Sequence, residues 1–466
     1  MDNFDFIILG SGSAAFAAAI KASELGAKVV MIENDVVGGT CVNRGCIPTK
    51  NLIAAAELFY KARRPKFEGI SFDGASLDFR ELITQKNELV AKLRYEKYAK
   101  IAEEDPDIEL VKGRARFISR NVVQVGDNRL KADKLLIATG SRPYIPPILG
   151  LKEVGYLTSR SILELEELPR SLLIIGGGFI AMEMGQMFER FGTEVIILER
   201  GSRVLKRFEP EISQAIRRFL EEEGVVIHTN ALVRRIKREN GEIIADAVVE
   251  GGLRMFRTQH VLVATGRAPN TEDLGLQGVG VDMDDRGFVK VDSEMRTTAP
   301  NIWAAGDVTG LPMATPVAAR EGVIAAQNAI GGKHIKMDYK TVPRAVFTDP
   351  EVASVGLTEA EAEKAGYRCM CRVLDLGLVP KALAIRESRG LVKIVADGIT
   401  HQILGVHLVA PRGADIIHEA ALAVKYRMTV EEIIGTVHVY PTISEAIRLA
   451  AQTFFKDVSR LSCCAE

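Results

Sequence analysis

Two distant stretches of the chain carry the same pattern, and that repetition constrains the fold more than anything else in the sequence. In the first, Phe4-Asp5-Phe6-Ile7-Ile8-Leu9 reads as a buried strand. The small-residue turn Gly10-Ser11-Gly12-Ser13-Ala14-Ala15 follows and opens an alanine-rich helix that ends near Gly26. Ala27 to Ile32 is a second strand, closed by Glu33. In the second, Ser171 to Ile175 is the strand and Gly176-Gly177-Gly178-Phe179-Ile180-Ala181 the turn. A helix then runs to about Gly192, and Glu194 to Leu198 is a strand closed by Glu199. Strand, glycine turn, helix, strand and terminal acid form the dinucleotide fingerprint. Its glycines permit a tight turn and close approach of a pyrophosphate, the helix N-terminus faces the phosphates, and the acid bonds a ribose hydroxyl. In the first copy Ala15 stands in the third glycine's place.

Two such units predict two bound dinucleotides, most simply a flavin and a nicotinamide. Each unit is followed by an apolar strand that ends in an Ala-Thr-Gly turn. The first is Leu135 to Pro143, with Thr139 and Gly140; the second is Val261 to Asn270, with Gly266 and Arg267. Tyr144 to Pro147 suits a linker. Asn301 to Asp307 is a further strand that ends in Gly306 and Asp307, an acid placed to bond a cofactor polyol. Glu199 favours an unphosphorylated ribose, whereas Arg200, Arg203 and Arg207 just beyond it could hold a 2′-phosphate. NADPH and NADH therefore both stay open from these residues. Residues 334–466 change pattern, with strands near 342–347, 368–374, 391–397 and 402–409 and helices near 413–426, 429–435 and 442–455.

Between the first unit and its Ala-Thr-Gly turn lies Gly38-Gly39-Thr40-Cys41-Val42-Asn43-Arg44-Gly45-Cys46-Ile47-Pro48-Thr49-Lys50, ahead of a helix expected from about Lys50 to Tyr60. Cys41 and Cys46 read as a redox-active pair at the start of that helix, against a flavin. The six cysteines of the 466-residue chain fall in three close pairs, the others being Cys369 with Cys371 and Cys463 with Cys464. Such use in a long chain argues for thiol or metal chemistry rather than a structural disulfide framework. Adjacent Cys463 and Cys464 are more naturally a ligand for a soft metal than a disulfide, which would need strained geometry. Cys369 and Cys371 alternate along a strand, so both point to one face; they read as ordinary strand residues, with metal ligation the alternative. His407 and His418 read as packing or interface residues. A formal net charge of −1 gives no argument for a nucleic-acid or membrane partner. The acidic N-terminus and the glycines breaking Phe6 to Ile20 argue against a signal peptide or membrane span, and a cytoplasmic location is expected.

Gly10-x-Gly12, the Gly39 to Lys50 stretch, Gly176 to Glu183, Ala264-Thr265-Gly266-Arg267 and Gly306-Asp307 occur in an order that resembles the flavin-dependent disulfide oxidoreductases. The resemblance implies an α/β fold with two Rossmann-like dinucleotide-binding domains and a C-terminal α+β dimerisation domain. The FAD-binding domain would comprise 1–150 and 272–333, the NAD(P)H-binding domain 151–271, and the dimerisation domain 334–466. It implies a homodimer with active sites shared between subunits, a Lys50–Glu183 ion pair beside the flavin, and Cys46 as the thiol nearer the flavin. The helix N-terminus and Lys50 would lower the Cys46 pKa.

The family's disulfide reductases carry His-x-His-Pro-Thr near the C-terminus, where this chain reads His438-Val439-Tyr440-Pro441-Thr442. Tyrosine, with a pKa near ~10, is a poor proton shuttle at neutral pH. Glu445 stands where the family's histidine-orienting carboxylate does. Tyr440 together with Cys463-Cys464 resembles the mercuric reductase branch. That branch reduces Hg(II), held as a thiolate complex by Cys41, Cys46, Cys463 and Cys464, with Tyr440 of the partner lining the inner site. Many of its members carry an N-terminal Cys-x-x-Cys domain; this chain starts at the first fingerprint, which leaves the tail as the evident capture site. Phe179 stands where the family often has a tyrosine over the nicotinamide pocket. A disulfide reductase of lipoamide or glutathione type, and a thiol-based metal-sequestering protein, are the alternatives.

Overall fold

The computed structural model describes residues 2–460; Cys463 and Cys464 lie outside the described residues. Both fingerprints fold as expected. The strand Asp2–Leu9 leads into the helix Ser13–Glu24 and the strand Val29–Glu33, and Ser171–Ile175 leads into Phe179–Phe191 and Glu194–Leu198. The turns match in detail. A side chain at Gly10 would stand 2.4 Å from the carbonyl oxygen of Ala138, and one at Gly176 would stand 2.4 Å from that of Ala264. Each fingerprint glycine therefore presses on the Ala-Thr-Gly turn of its own unit.

The first sheet runs Ile108–Lys112, Val29–Glu33, Asp2–Leu9, Asn128–Ile137, Val122–Val125 and Ala115–Ser119, with Ile302–Ala304 also paired to Asn128–Ile137. Pairing is parallel through the centre, as a crossover helix demands, and antiparallel at the last two strands. Its central strands are apolar runs because both faces are covered, one by the helices Ser13–Glu24 and Thr315–Ala329 and the other by the outer strands and the segment 274–308: Phe6, Ile7, Ile8, Val29, Val30, Met31, Leu135 and Leu136 are fully buried. Ser13–Glu24 packs along the helix Thr315–Ala329. There a side chain at Gly322 would stand 2.1 Å from the Ala14 carbonyl oxygen, so the two backbones nearly touch.

The second sheet is parallel throughout, in the order Val226–His228, Glu194–Leu198, Ser171–Ile175, His260–Val263. An antiparallel meander of Ala231–Glu239, Glu242–Val249 and Gly252–Thr258 lies beside it. The two Ala-Thr-Gly turns, equivalent in sequence, are neighbours in space: Ser141–Pro143 pairs antiparallel with Arg267–Pro269.

The C-terminal sheet is antiparallel, ordered Arg344–Val346, Glu351–Gly356, Ile403–Ala410, Leu391–Asp397, Cys369–Asp375. Gly413–Lys425 packs on Glu351–Gly356, and Glu445–Gln452 covers Cys369–Asp375 and Leu391–Asp397. His407 is fully buried, bonded to Ser354 Oγ at 2.7 Å and to the Leu357 carbonyl oxygen at 3.0 Å, in line with a packing role. Among the described residues no helix is long and apolar enough to cross a membrane.

Candidate active site

The cysteine stretch differs from expectation in its local structure. Cys41 sits inside a short helix of its own, Gly39–Arg44, and the long helix begins at Cys46 itself and runs to Arg63. Gly45 separates the two; a side chain there would stand 3.0 Å from the Thr40 carbonyl oxygen and 3.4 Å from Cys41 Cα. Gly39 is left-handed, with φ +66°, and its Cα side faces Gly12: a side chain would come within 2.6 Å of Gly12 Cα. The redox stretch is thus packed backbone to backbone on the first fingerprint turn.

Cys41 and Cys46 are free, half-buried thiols. They differ in acidity. The Cys41 thiol bonds to Cys46 and lowers it to about 6 against the opposing effect of burial, with Thr315 and the charge of Lys50 adding to the same end. The same hydrogen bond, then burial and thiolate repulsion, push Cys41 far up. Cys46 also opens an 18-residue helix that has no side-chain cap and no acid in its first turn, where a negative charge is favoured. Lys50, expected with the helix N-terminus to lower Cys46, does so behind Cys41 and Thr315. We predict that the ultraviolet thiolate absorbance of the reduced enzyme titrates with a midpoint of about 6, and that Cys46→Ser removes this step. A single step near the ordinary thiol value of ~8.5 would contradict the assignment.

Lys50 lies one turn beyond Cys46. Its Nζ donates to Glu183 Oε2 at 2.8 Å and stands 4.4 Å from the centre of the Phe347 ring. Glu183 is buried and its Oε1 accepts the backbone N–H of Phe347 at 2.9 Å. The pair therefore joins the cysteine helix, the second fingerprint helix and the start of the C-terminal unit. Thr315 and Phe347 escaped sequence reasoning. Thr315 Oγ1 is 3.5 Å from Cys46 Sγ across 269 positions of sequence, a proximity that no spacing announces.

The remaining candidates fall in two groups around the two turns. Glu33 is buried and accepts Ser11 Oγ–H at 2.6 Å and the Asp35 N–H at 2.6 Å. Asp307 Oδ2 accepts Ser141 Oγ–H at 2.5 Å and lies 3.5 Å from Arg267 Nε, which itself donates to Ser141 Oγ at 2.6 Å. Thr139 Oγ1 donates to the Asn270 carbonyl oxygen at 2.7 Å, tying the two Ala-Thr-Gly turns. Glu199 accepts the Gly201 N–H, and Arg203 donates to the Lys206 carbonyl oxygen at 2.9 Å. Phe179, first in its helix, is half exposed.

Two dinucleotides fit these surfaces. The helices Ser13–Glu24 and Phe179–Phe191 both start without a side-chain cap and without an acid in the first turn, so their N–H groups are presented to an anion. Among the described residues, no atom beyond the chain neighbours lies within 4 Å of where a side chain at Gly140, Gly178 or Gly266 would stand, which leaves open space along both turns.

His438 Nε2 bonds to Glu419 Oε1 at 2.6 Å and Nδ1 bonds to the Thr436 carbonyl oxygen at 2.9 Å. Glu419 thus holds His438, the first residue of the signature. Glu445 is buried, its Oε2 has no hydrogen-bond partner among the described residues, and burial raises its carboxyl pKa. Tyr440 is partly exposed. Burial, followed by the Glu359 carboxylate, pushes the Cys371 thiol up to about 12, the opposite direction from Cys46.

Residues 4–322 match the family described as pyridine nucleotide-disulphide oxidoreductase, and residues 342–451 match its dimerisation domain. The chain belongs to that family. As a pyridine nucleotide-disulphide oxidoreductase it is an FAD-dependent enzyme that also uses a nicotinamide cofactor. Among curated relatives, the mercuric reductase of Bacillus cereus is 44% identical over 99% of this chain and 73% of its own length. That of Streptomyces lividans is 44% identical over 99% of this chain and 98% of its own. The chain is mercuric-reductase-like along its whole length. Among solved structures, the Cu(II) complex of the HOCl-induced flavoprotein disulfide reductase RclA from Escherichia coli superposes with a TM-score of 0.88 at 30% identity, covering 98% of this chain and 100% of that one.

Proposed function

We propose that the enzyme reduces Hg(II) to elemental mercury with NADPH, as a homodimer whose active sites draw on both subunits. The observation that carries this reading is the occurrence, on one chain, of a Cys41–Cys46 pair with an acidic Cys46 thiol and identity of 41–44% along the chain to curated mercuric reductases. Tyr440 in place of the acid/base histidine and the Cys463-Cys464 tail support it.

The FAD site would be built by residues 1–150 and 272–333, with Gly10, Gly12, Ser13, Ala14, Glu33, Gly39, Thr40, Thr139, Gly140 and Asp307 against the flavin nucleotide. The nicotinamide site would lie in 151–271, with Gly176, Gly178, Ile180, Glu199, Gly266 and Arg267, and Phe179 stacking over the pocket mouth. Arg200 beside Glu199 favours NADPH, with NADH as the weaker donor. When bound, the two cofactors supply a hydride and a path for two electrons to the cysteine pair. Cys463 and Cys464 of the partner subunit take Hg(II) from its solution thiolate complex. They pass it inward by thiolate exchange to Cys41 and Cys46, which a soft cation prefers to any oxygen ligand present. Lys50, held by Glu183, offsets the negative charge of the Cys46 thiolate. Two electrons convert the bis-thiolate complex to Hg(0) and two free thiolates, so no proton has to reach a leaving thiol, and a tyrosine can replace the histidine.

A disulfide reductase is the second reading, favoured by the likeness to RclA. One assay decides. NADPH oxidation is followed with Hg(II) and excess thiol while mercury vapour is trapped, beside a Cys463→Ala/Cys464→Ala variant. Turnover with vapour, slowed in the variant while NADPH still reduces the flavin at the native rate, is the expected result. Rapid turnover of a disulfide substrate with no vapour would overturn the mercury reading, and stoichiometric binding without turnover would make the protein a sequestering one.

A further inference from the structure

Cys369 and Cys371 open the edge strand Cys369–Asp375 of the C-terminal sheet, two residues apart and therefore on one face. Both thiols lie near Glu359, at the start of the helix Glu359–Lys364. Cys369 Sγ is 3.8 Å from its carbonyl oxygen, and the charge of its carboxylate acts on the Cys371 thiol. Both are free and partly exposed. The surrounding charge is negative: Glu359, Glu363, Asp397 and Glu209 all act on Cys369. The cation in the cluster, Lys393, is already held by Glu209, Glu211 and Glu359 at 3.1, 2.9 and 2.7 Å. One oxygen of that cluster, Glu211 Oε2, is buried without a partner among the described residues.

We propose that Cys369 and Cys371 form a second metal site, a two-coordinate bis-thiolate site for a soft thiophilic cation, with Hg(II) as the ion this enzyme meets. Its use with mercury rests on the function proposed above; its capacity to bind does not. Residues two apart on a strand have Cα atoms roughly 6.6 Å apart, near the upper limit of roughly 6.8 Å for a disulfide. An ion bridging the sulfurs spans that separation more easily than an S–S bond. Harder ions need more ligands, and among the described residues no group of three or more His, Cys, Asp or Glu side chains converges to hold a metal. A linear, two-sulfur ion is the species that two thiols suffice for. Exchange from a carrier bis-thiolate complex breaks two S–H bonds and the two carrier sulfur–metal bonds and forms two new sulfur–metal bonds; the two protons pass to the released carrier thiolates, with no change of oxidation state. The negative surroundings attract the arriving cation, but with burial they also raise both thiols, so the two protons leave only as the sulfur–metal bonds form.

The test uses FAD-loaded enzyme with Cys41, Cys46, Cys463 and Cys464 all replaced by alanine, which leaves Cys369 and Cys371 as the chain's two thiols. Hg(II) is added as its cysteine complex and dialysed against free cysteine, and bound metal and free protein thiols are counted. The expected result is one ion per chain with both thiols masked together, and affinity about 100-fold weaker once Cys369→Ala is added, as loss of a tethered second ligand requires. No retained metal, two ions each masking one thiol, or unchanged affinity in Cys369→Ala would overturn the proposal. Should the four-alanine chain fail to fold, Cys369→Ser/Cys371→Ser in the otherwise native enzyme is expected to bind one ion fewer than the native chain at saturation, and an equal count would overturn the proposal. Absence of mercury turnover in the native enzyme would sink the functional reading and leave these counts unaffected.

Discussion

Cys46→Ser is expected to lower Hg(II)-dependent NADPH oxidation by about 10³-fold or more, some 4 kcal/mol of transition-state stabilisation, while FAD content stays native. Serine keeps the shape of the side chain and loses both properties the site is built to confer. The Cys46 thiol is brought to about 6 by the Cys41 hydrogen bond, Thr315 and Lys50; a serine hydroxyl in the same place stays protonated at any working pH. It also offers hard oxygen to a soft ion. The folding cost is small, because the helix Cys46–Arg63 begins at this residue and serine is well tolerated at helix starts. Steady-state NADPH oxidation, with FAD absorbance as the control for folding, measures the effect. The matching Lys50→Met change should be milder, since Lys50 acts behind two hydrogen bonds. A Cys46→Ser enzyme with turnover within tenfold of native would remove Cys46 from the reaction path.

What could be read from the chain, and what could not, follows the range of the interactions concerned. The fingerprint glycines were legible because their reason is local: Gly10 and Gly176 each meet an alanine carbonyl at 2.4 Å, and glycine is the residue that such a turn admits. The helix start was misplaced by four residues because Pro48 and the glycines around the cysteines read as loop. In fact Pro48 sits within the first turn of Cys46–Arg63, where proline is at ease. The meander over 231–258 went unread. Its strand Ala231–Glu239 carries Arg234, Arg235, Lys237 and Arg238, and its register shifts between Val233 and Arg235, so alternation is broken where it would have been diagnostic. Glu351–Gly356 also went unread, since its buried Val352 to Val355 run gets both partners, Arg344–Val346 and Ile403–Ala410, from elsewhere. The Lys50–Glu183 pair was visible only through family resemblance, and Thr315 beside Cys46 was not visible at all. Contacts that cross from one unit to another leave no local trace.

One such crossing carries the second large effect. Glu223→Ala is expected to destabilise the protein by about 3–5 kcal/mol, the cost of removing one partner from a buried ion pair. Glu223 is held by Arg190 through Nε at 2.7 Å and Nη2 at 2.8 Å, by Arg389 Nη1 at 2.8 Å, and by Gln186 Nε2 at 3.1 Å. The side chains of Glu223 and Arg190 are 1% and 2% exposed, so water cannot replace the lost carboxylate. Among the described residues Arg190 would keep Asp349, at 3.0 Å, and the Tyr60 ring, 4.5 Å from its guanidinium, and would face Arg389 without the anion between them. Arg190 and Gln186 belong to the second fingerprint helix and Arg389 precedes the strand Leu391–Asp397, so the network fastens the second nucleotide unit to the C-terminal sheet. Burial raises the carboxyl pKa of Glu223, but the two arginines outweigh it and leave it lowered. The neighbouring Glu387 follows the same balance and is brought to about 2 by Arg389 and Lys66. A carboxylate lowered in this way contributes stability that is present above the unfolded value of ~4.3 and is lost as pH falls through the folded value. The deficit of Glu223→Ala should therefore be full at pH 7 and shrink below about pH 4, where the native network itself begins to protonate. Urea denaturation followed by far-ultraviolet ellipticity at both pH values measures it. Arg190→Met/Glu223→Leu, which removes both charges and fills the space with apolar atoms, should recover part of the loss, although Arg389 then keeps Glu387 as its only anion in the network. A deficit under about 1 kcal/mol at pH 7, the range of exposed pairs, would mean that the network does not hold the two units together.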